Sequence, residues 1–307
     1  MNSKEILITG TDGFIGNSFK SHLISEGFNV FGTTYFKEPE NREISLDIRN
    51  PEEFSKLPDE NFDIVIHTAG IIDQSEKARK ILEVNAQGTK HILNWAYEHR
   101  CNHFIHISST TVYGLRVLGE FRSEETTKRY NGIFALPYMR SKAKAEKYVQ
   151  ESGLAYTILR LPAVLGANDS YITNTIMDRL MNESYFTCGN KDRMYSTCYI
   201  KNLNLIISKL IETGPLNDCF NCCDEHISWR EFVKEYGKHL NIDIREKKKS
   251  LLSVLWHFRN KPYLLILTFS RFGAHYPNDL LLGTLGIKPK YSWQEGIEEA
   301  IHAYLSY

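Results

Sequence analysis

The chain lacks an excess of charge: its 307 residues carry 37 Lys+Arg against 37 Asp+Glu. Wrapping nucleic acid requires a Lys/Arg excess on some face, so the balance argues against a nucleic-acid partner and leaves room only for a local basic patch. Long apolar runs are missing too. No uninterrupted stretch reaches the roughly 18 residues of a spanning helix. Met1-Asn2-Ser3-Lys4-Glu5 runs straight into Ile6-Leu7-Ile8, without the basic, apolar and small-residue regions of a secretory signal. A soluble, cytoplasmic protein with no transmembrane segment is expected.

Cysteine is scarce. Six residues (Cys101, Cys188, Cys198, Cys219, Cys222 and Cys223) are too few for a disulfide framework in a chain of this length. Cys219, Cys222 and Cys223 lie near His226, but a second ligand pair at a separated position is missing, so buried thiols on a strand are expected and no metal. Apolar residues are plentiful. A hydrophobic content of 42% beside 24% charged residues excludes disorder and predicts a large core. The length suits two domains, or one large α/β unit with an appended lobe.

The first half alternates strand-length apolar runs with longer stretches of helical period, the pattern of parallel strands joined by crossover helices. Strands are predicted at Glu5 to Thr9, Asn29 to Thr34, Ile44 to Leu46, Ile64 to His67, His103 to Ser108 and Tyr156 to Leu159. Helices are predicted near Phe14 to Ser25, Pro51 to Leu57, Ser75 to Arg100 and Tyr138 to Glu151. The implied architecture is a Rossmann-type, doubly wound parallel sheet. After Gly166 the alternation decays, and no Gly/Ser-rich or Pro-rich linker intervenes. Residues 1–165 are therefore expected to form a dinucleotide-binding domain carrying catalysis, and 166–307 mainly a substrate-binding lobe from which some segments return to the sheet.

Thr9-Gly10-Thr11-Asp12-Gly13-Phe14-Ile15-Gly16 ends the first strand and opens the first helix. A backbone that turns sharply, approaches a pyrophosphate and then packs a helix on a strand needs side-chain-free positions at Gly10, Gly13 and Gly16. The helix N-terminus then offers N–H groups to the anion. Asp12, Phe14 and Ile15 belong to the same candidate set, although Phe14 and Ile15 are of the kind that packs a helix.

This stretch resembles the extended short-chain dehydrogenase/reductase superfamily, the NAD-dependent epimerase/dehydratase group, and further motifs follow in that group's order. Leu46-Asp47-Ile48-Arg49 is similar to its adenine-contacting Asp segment, and His67-Thr68-Ala69-Gly70 to the end of its fourth strand beside the cofactor. Val84-Asn85-Ala86-Gln87-Gly88-Thr89 is similar to its central-helix Asn motif. Ser108-Ser109-Thr110-Thr111-Val112-Tyr113-Gly114 matches its active-site run. Cofactor contacts at Asp47, Ile48, Thr68, Ala69, Gly70, Asn85 and Pro162, and a homodimer through the helices around Ala86 and Tyr138, are what the resemblance implies.

Tyr138-Met139-Arg140-Ser141-Lys142 carries the chemistry. A separation of four puts Tyr138 and Lys142 on one helix face, about 5 to 6 Å apart at Cβ. A phenol with a pKa of about 10 is a poor acid-base group at neutral pH, and a neighbouring ammonium stabilises its phenolate. The resemblance implies that Tyr138 exchanges the proton of the substrate hydroxyl and that Lys142 also holds the nicotinamide ribose. It further implies that Ser109, with Thr110 as fallback, hydrogen-bonds the reacting oxygen. His67, His103 and His106 are read as structural, His67 through its backbone more than its imidazole.

An acidic residue ordinarily ends the second strand where the non-phosphorylated cofactor is used. Thr34 stands there, with Lys37 and Arg42 beyond, so a repelling carboxylate is absent and NADP is favoured over NAD. The implied activity is hydride transfer at a secondary alcohol or ketone of a small molecule. The commonest outcome in the group is a nucleotide-sugar epimerase, dehydratase or reductase.

Two departures concern the substrate. Ala163 replaces an Asn common in the group, and Ser196-Thr197-Cys198 stands where a diphosphate-clamping Arg is usual, with Lys191 and Arg193 nearby. Ile66 to Asp73 and Lys288 to Glu295 resemble instead the 3β-hydroxysteroid dehydrogenase branch, which implies a lipophilic alcohol. The basic and then apolar stretch 245–272 suits a peripheral membrane contact or a greasy substrate, and equally a packed lobe helix. A non-catalytic dinucleotide sensor would be expected to have lost Tyr138 or Lys142, and both are present.

Overall fold

A computed structural model describes residues 4–73, 76–114, 123–124, 136–169, 171–188, 192–244, 247–250, 270–271 and 273–306. The chain divides into two compact units.

The first unit takes the chain up to Gly114, the segment that ends at Arg160, and Asn204–Phe220. Its elements are β1 (Glu5–Thr9), α1 (Phe14–Ser25), β2 (Asn29–Thr34), β3 (Glu43–Ser45), β4 (Ile64–His67), α2 (Ala78–Leu82), α3 (Thr89–Glu98), β5 (His103–Ser109) and α4 (Pro137–Gln150). Then follow β6 (Tyr156–Leu161) and a seventh sheet strand from late in the chain, Cys219–Asn221, while β7 (Phe186–Cys188) belongs to the second unit. The sheet runs β3-β2-β1-β4-β5-β6 and ends on that late strand. β1 pairs in parallel with β2 (Ile6↔Val30) and β4 (Ile6↔Ile64), and β2–β3 and β4–β5 are parallel too. Strand order reverses between β1 and β4, where the carboxyl ends open a crevice for ligands.

β4 and β5 are buried throughout, as is β1 after its first residue, because helices cover both faces of the sheet, and Ile6, Leu7, Val65 and Phe104 are fully buried. Phe19 and Leu23, four apart on α1, seat that helix against the sheet. The continuous helix expected from Ser75 to Arg100 is instead interrupted by a π-helical turn, Glu83–Gly88, between α2 and α3. Asn85 sits inside that turn, and such turns gather at functional positions. The helix expected at Pro51 to Leu57 is a 3₁₀ segment, Pro51–Lys56.

The second unit takes Leu161–Leu203 and Asn221 onward. It holds α5 (Ile172–Met181), β7, β8 (Met194–Ser196), and the start of α6 (Ile200–Thr213), whose remainder lies in the first unit. Numbering Cys219–Asn221 as β9, it continues with β10 (His226–Ser228), α7 (Trp229–Leu240), β11 (Lys247–Lys249), α8 (Asp279–Leu285) and α9 (Trp293–Leu305). Its core is aromatic: Phe232 packs on Tyr195, Trp229, Tyr236 and Trp293. Asp169 caps α5 through three backbone N–H groups.

The basic part of 245–272 is a strand where described: β11 pairs in parallel with β7, and Lys249 lies over the Phe186 ring. Residues 251–269 lie outside the described residues. All six cysteines are free and buried, and burial lifts the Cys101 thiol to about 11. Among the described residues no group of three His, Cys, Asp or Glu side chains could hold a metal ion, and no helix is long and apolar enough to cross a membrane.

Candidate active site

The strand ends of β1, β2 and β4 surround an open cleft. Gly10, Asp12 and Gly13 form one wall, Thr34, Tyr35 and Phe36 a second, and Asp47, Ile48 and Arg49 a third. Thr68, Ala69, Gly70 and Ile71 close it.

The glycine wall tolerates no side chains. Gly10 has φ +77°, and a Cβ there would lie 2.8 Å from Ala69 Cα. A Cβ on Gly16 would overlap the Gly10 carbonyl oxygen and approach Thr68 Oγ1 to 2.6 Å. Gly16 therefore lets α1 press on the loop without reaching the cleft wall. Gly13 is the N-cap of α1 and supplies no side-chain cap, so the first helical turn is open to an anion. Phe14 and Ile15 are half-buried in that turn.

Asp12 turns out to order the opposite wall: its carboxylate accepts the N–H groups of Tyr35 (2.8 Å) and Phe36 (2.7 Å). Thr34 is buried on the wall, and its hydroxyl has no hydrogen-bond partner among the described residues. Arg42, expected beyond it, is turned onto Glu5 (2.9 Å) and Glu60 (3.3 Å) because both carboxylates flank the left-handed bend it occupies. Arg49 stands at the cleft instead. Its guanidinium is gripped by Asp47, lies 5.7 Å over the Tyr35 ring and donates to the Tyr35 phenol at 3.0 Å. That pairing holds the Asp47 carboxyl below its usual range.

The β4 end is fastened from beneath. Thr68 Oγ1 donates to the Thr9 carbonyl (2.6 Å), and buried Asn85 bonds both backbone groups of Ile71 and the Ser141 hydroxyl. His67 bonds the Thr9 and Thr89 hydroxyls through its two ring nitrogens (2.7 and 3.0 Å). Its imidazole thus matters more than the sequence suggested. Burial and the Lys142 charge lower its pKa to about 3, so it stays neutral.

Tyr138 and Lys142 lie one turn apart on α4. Tyr138 is half-buried, and Lys142 is buried with its ammonium donating to the Ile107 carbonyl at 2.8 Å. The same Nζ would be 3.6 Å from a Cβ placed on Gly70, so it reaches the back of the cleft wall. Burial lowers the Lys142 pKa to about 8, against the opposing pull of Glu146. Ser109 ends β5, and its Oγ accepts from the Thr111 N–H (3.2 Å) and hydroxyl (3.1 Å). An oxygen used twice as an acceptor keeps its own proton to donate. Pro162 is buried in the second unit directly after β6. There too, the Arg193 carbonyl accepts from Trp229 N–H, and Lys191 lies outside the described residues.

Sequence reasoning missed the Tyr35–Arg49 wall and a buried pair, Glu146 and Arg160, joined at 2.9 Å. The second left one trace, Arg160 inside the apolar run Ile158-Leu159-Arg160-Leu161, whereas Glu146 stands among lysines and gives no such signal.

The profile of the NAD dependent epimerase/dehydratase family matches residues 6–223. Among curated proteins, a Dictyostelium discoideum sterol-4-alpha-carboxylate 3-dehydrogenase, decarboxylating, is 26% identical over 96% of this chain and 99% of its own. Among solved structures, the Bordetella bronchiseptica enzyme WbmH in complex with NAD+ superposes with TM-score 0.81 at 16% identity, covering 100% of both chains. UDP-glucose 4-epimerase from Thermotoga maritima with UDP-glucose superposes with TM-score 0.78 at 19% identity, covering 98% of this chain and 99% of that one.

Proposed function

The chain belongs to the NAD-dependent epimerase/dehydratase family, and from that premise we propose that it is an NAD(P)-dependent enzyme acting at a secondary alcohol or ketone of a nucleotide sugar. The observation that carries the reading is the pair Tyr138 and Lys142 on one face of α4, with the Lys142 ammonium fixed behind Gly70 on the cleft wall.

The glycine cradle, the open first turn of α1 and the unpartnered Thr34 hydroxyl fit a dinucleotide. When bound, the nicotinamide supplies hydride exchange. Gly10, Gly13 and the α1 turn hold the pyrophosphate, and Thr68, Ala69 and Gly70 give the backbone room to approach. Tyr138 takes or returns the proton of the substrate hydroxyl, Lys142 stabilises the phenolate, and Ser109 donates to the reacting oxygen. With Thr34 in place of an acidic residue as the last residue of β2 and Arg49 on the wall, NADP is the preferred form. The second unit selects the substrate in this reading, and a homodimer around Ala86 and Tyr138 belongs to it, testable by light scattering.

A second reading has a specific observation behind it. The Dictyostelium sterol dehydrogenase aligns over nearly its whole length, and Ala163 and Ser196 replace groups suited to a diphosphate. Purified chain with NAD or NADP is therefore assayed on UDP-glucose and on a 3β-hydroxysteroid, alongside Tyr138→Phe. Epimerised or oxidised UDP-sugar supports the first reading and steroid oxidation the second. Full turnover by a Tyr138→Phe enzyme that still binds cofactor sinks both.

A further inference from the structure

One helix and one strand meet rung by rung. On α4, Tyr138, Lys142 and Glu146 follow at one-turn intervals on a single face. On β5, Ile107, Ser108 and Ser109 are consecutive. The Lys142 ammonium donates to the Ile107 carbonyl at 2.8 Å, and the Ser108 hydroxyl donates to Glu146 Oε1 at 2.6 Å. Glu146 is fully buried, and Arg160 of β6 clamps its other side, Nε to Oε1 at 3.0 Å and Nη2 to Oε2 at 2.9 Å. The same guanidinium donates through Nη1 to the Tyr113 phenol at 2.9 Å. Tyr113 closes the 3₁₀ turn Thr110–Tyr113 that Ser109 caps. The residue before Ser109 and the turn after it are thus tied to one carboxylate.

We propose that Glu146 is a positioning residue, whose carboxylate holds Ser109 in register with Tyr138 and Lys142. The inference rests on the roles given to those three residues above. Stability alone does not account for the arrangement, because a buried ion pair is often matched or bettered by apolar residues of similar volume. A fully satisfied buried network, in contrast, fixes one geometry. Glu146 also acts on Lys142 by charge. The other groups facing that ammonium are His106 of β5 and His67 of β4, kept neutral by burial, while Arg160 of β6 is held by Glu146 itself. Glu146 is accordingly the anion that favours the charged lysine.

Two variants test this. Ser108→Ala deletes one rung and leaves Glu146 paired with Arg160, so the fold survives; Glu146→Gln deletes the charge, with the thermal midpoint reporting folding. The rate is read with whichever of UDP-glucose and the 3β-hydroxysteroid is turned over. Without any substrate, the Tyr138 phenol is titrated by phenolate absorbance as a difference against Tyr138→Phe. Ser108→Ala is expected to lower kcat about tenfold with KM within about twofold, since small misplacements at the reacting centre act on rate. In a Ser109→Ala background it should cost little further. Glu146→Gln should move the Tyr138 titration to higher pH, and Glu146→Asp should restore part of the shift. Full additivity of Ser108→Ala with Ser109→Ala, or an unmoved titration in folded Glu146→Gln, overturns the role of Glu146. A fully active Tyr138→Phe enzyme overturns the reading beneath it instead.

Discussion

Asn85 holds both backbone groups of Ile71: its Oδ1 accepts the Ile71 N–H at 2.7 Å and its Nδ2 donates to the Ile71 carbonyl at 2.9 Å. The side chain comes from the π-helical turn, the backbone from the loop that closes the cleft after β4. Asn85 reaches the cleft through Ile71 and is not on the wall itself. Asn85→Ala leaves both Ile71 groups without this partner, which costs about 2 kcal/mol of stability. It should also weaken NADH and NADPH binding together, because the Gly70–Ile71 wall loses its fastening. Urea unfolding and fluorescence titration check the two effects. Lost stability with unchanged affinity would confine Asn85 to the fold.

The glycine wall supports a ranking. Alanine is the better helix former by about 1 kcal/mol, so Gly16→Ala inside α1 should stabilise on propensity alone. The Cβ meets the Gly10 carbonyl and Thr68 Oγ1, however, and the loop must shift. Gly16→Ala is expected to lower the melting temperature and reduce dinucleotide affinity more than tenfold by the loss of close backbone approach. At Gly13 the nearest atom to a Cβ is 3.3 Å away, so Gly13→Ala should be the milder change. The reverse order in isothermal titration would refute this packing account.

The parallel sheet and the cradle were legible because strand runs and the spacing of Gly10, Gly13 and Gly16 are local signals. β3 came out one residue early, at Glu43–Ser45, since a three-residue edge strand carries little period. The π turn was hidden because 83–88 keeps an ordinary helical pattern of apolar residues. Arg42 and Arg49 could not be told apart as cleft residues: their fates depend on Glu5, Glu60 and Asp47, brought near by folding. For the same reason Asp12 shows in the sequence only as a candidate ligand contact: the Tyr35 and Phe36 N–H groups that its carboxylate accepts are brought near by folding.

The Lys142 pKa of about 8, lowered by burial from 10.5, has a stability consequence. Below pH 8 the lysine is charged in both folded and unfolded chains, and the folded state bears the full desolvation penalty. Between pH 8 and 10.5 the unfolded chain binds more protons, so this contribution to stability rises with pH. Lys142→Met should therefore be more stable than the parent at pH 7, by an amount on the order of 3 kcal/mol before the loss of the Ile107 bond is subtracted. Its advantage should shrink towards pH 10.5, and turnover should be lost throughout. Urea midpoints of both proteins at pH 7 and pH 10 test the sign; an advantage that grows with pH contradicts it.

Arg49 is where the choice of cofactor should be decided. Its guanidinium stands beside Tyr35 just past β2, whose last residue is Thr34 where an acid would repel a 2′-phosphate, and Asp47 holds it by Nε and Nη2. Arg49→Gln removes the cation and releases the Asp47 carboxylate to repel a 2′-phosphate or accept from a ribose hydroxyl. The variant is expected to bind NADPH about tenfold more weakly, roughly 1.4 kcal/mol, and NADH within about twofold of the parent. Because the attraction is between partly exposed charges, the parent's preference for NADPH should also narrow as salt rises. Titration of both reduced cofactors at two ionic strengths reads the outcome. An equal loss for both would mean that Arg49 orders the adenosine wall rather than the phosphate, and a parent that prefers NADH would remove the premise.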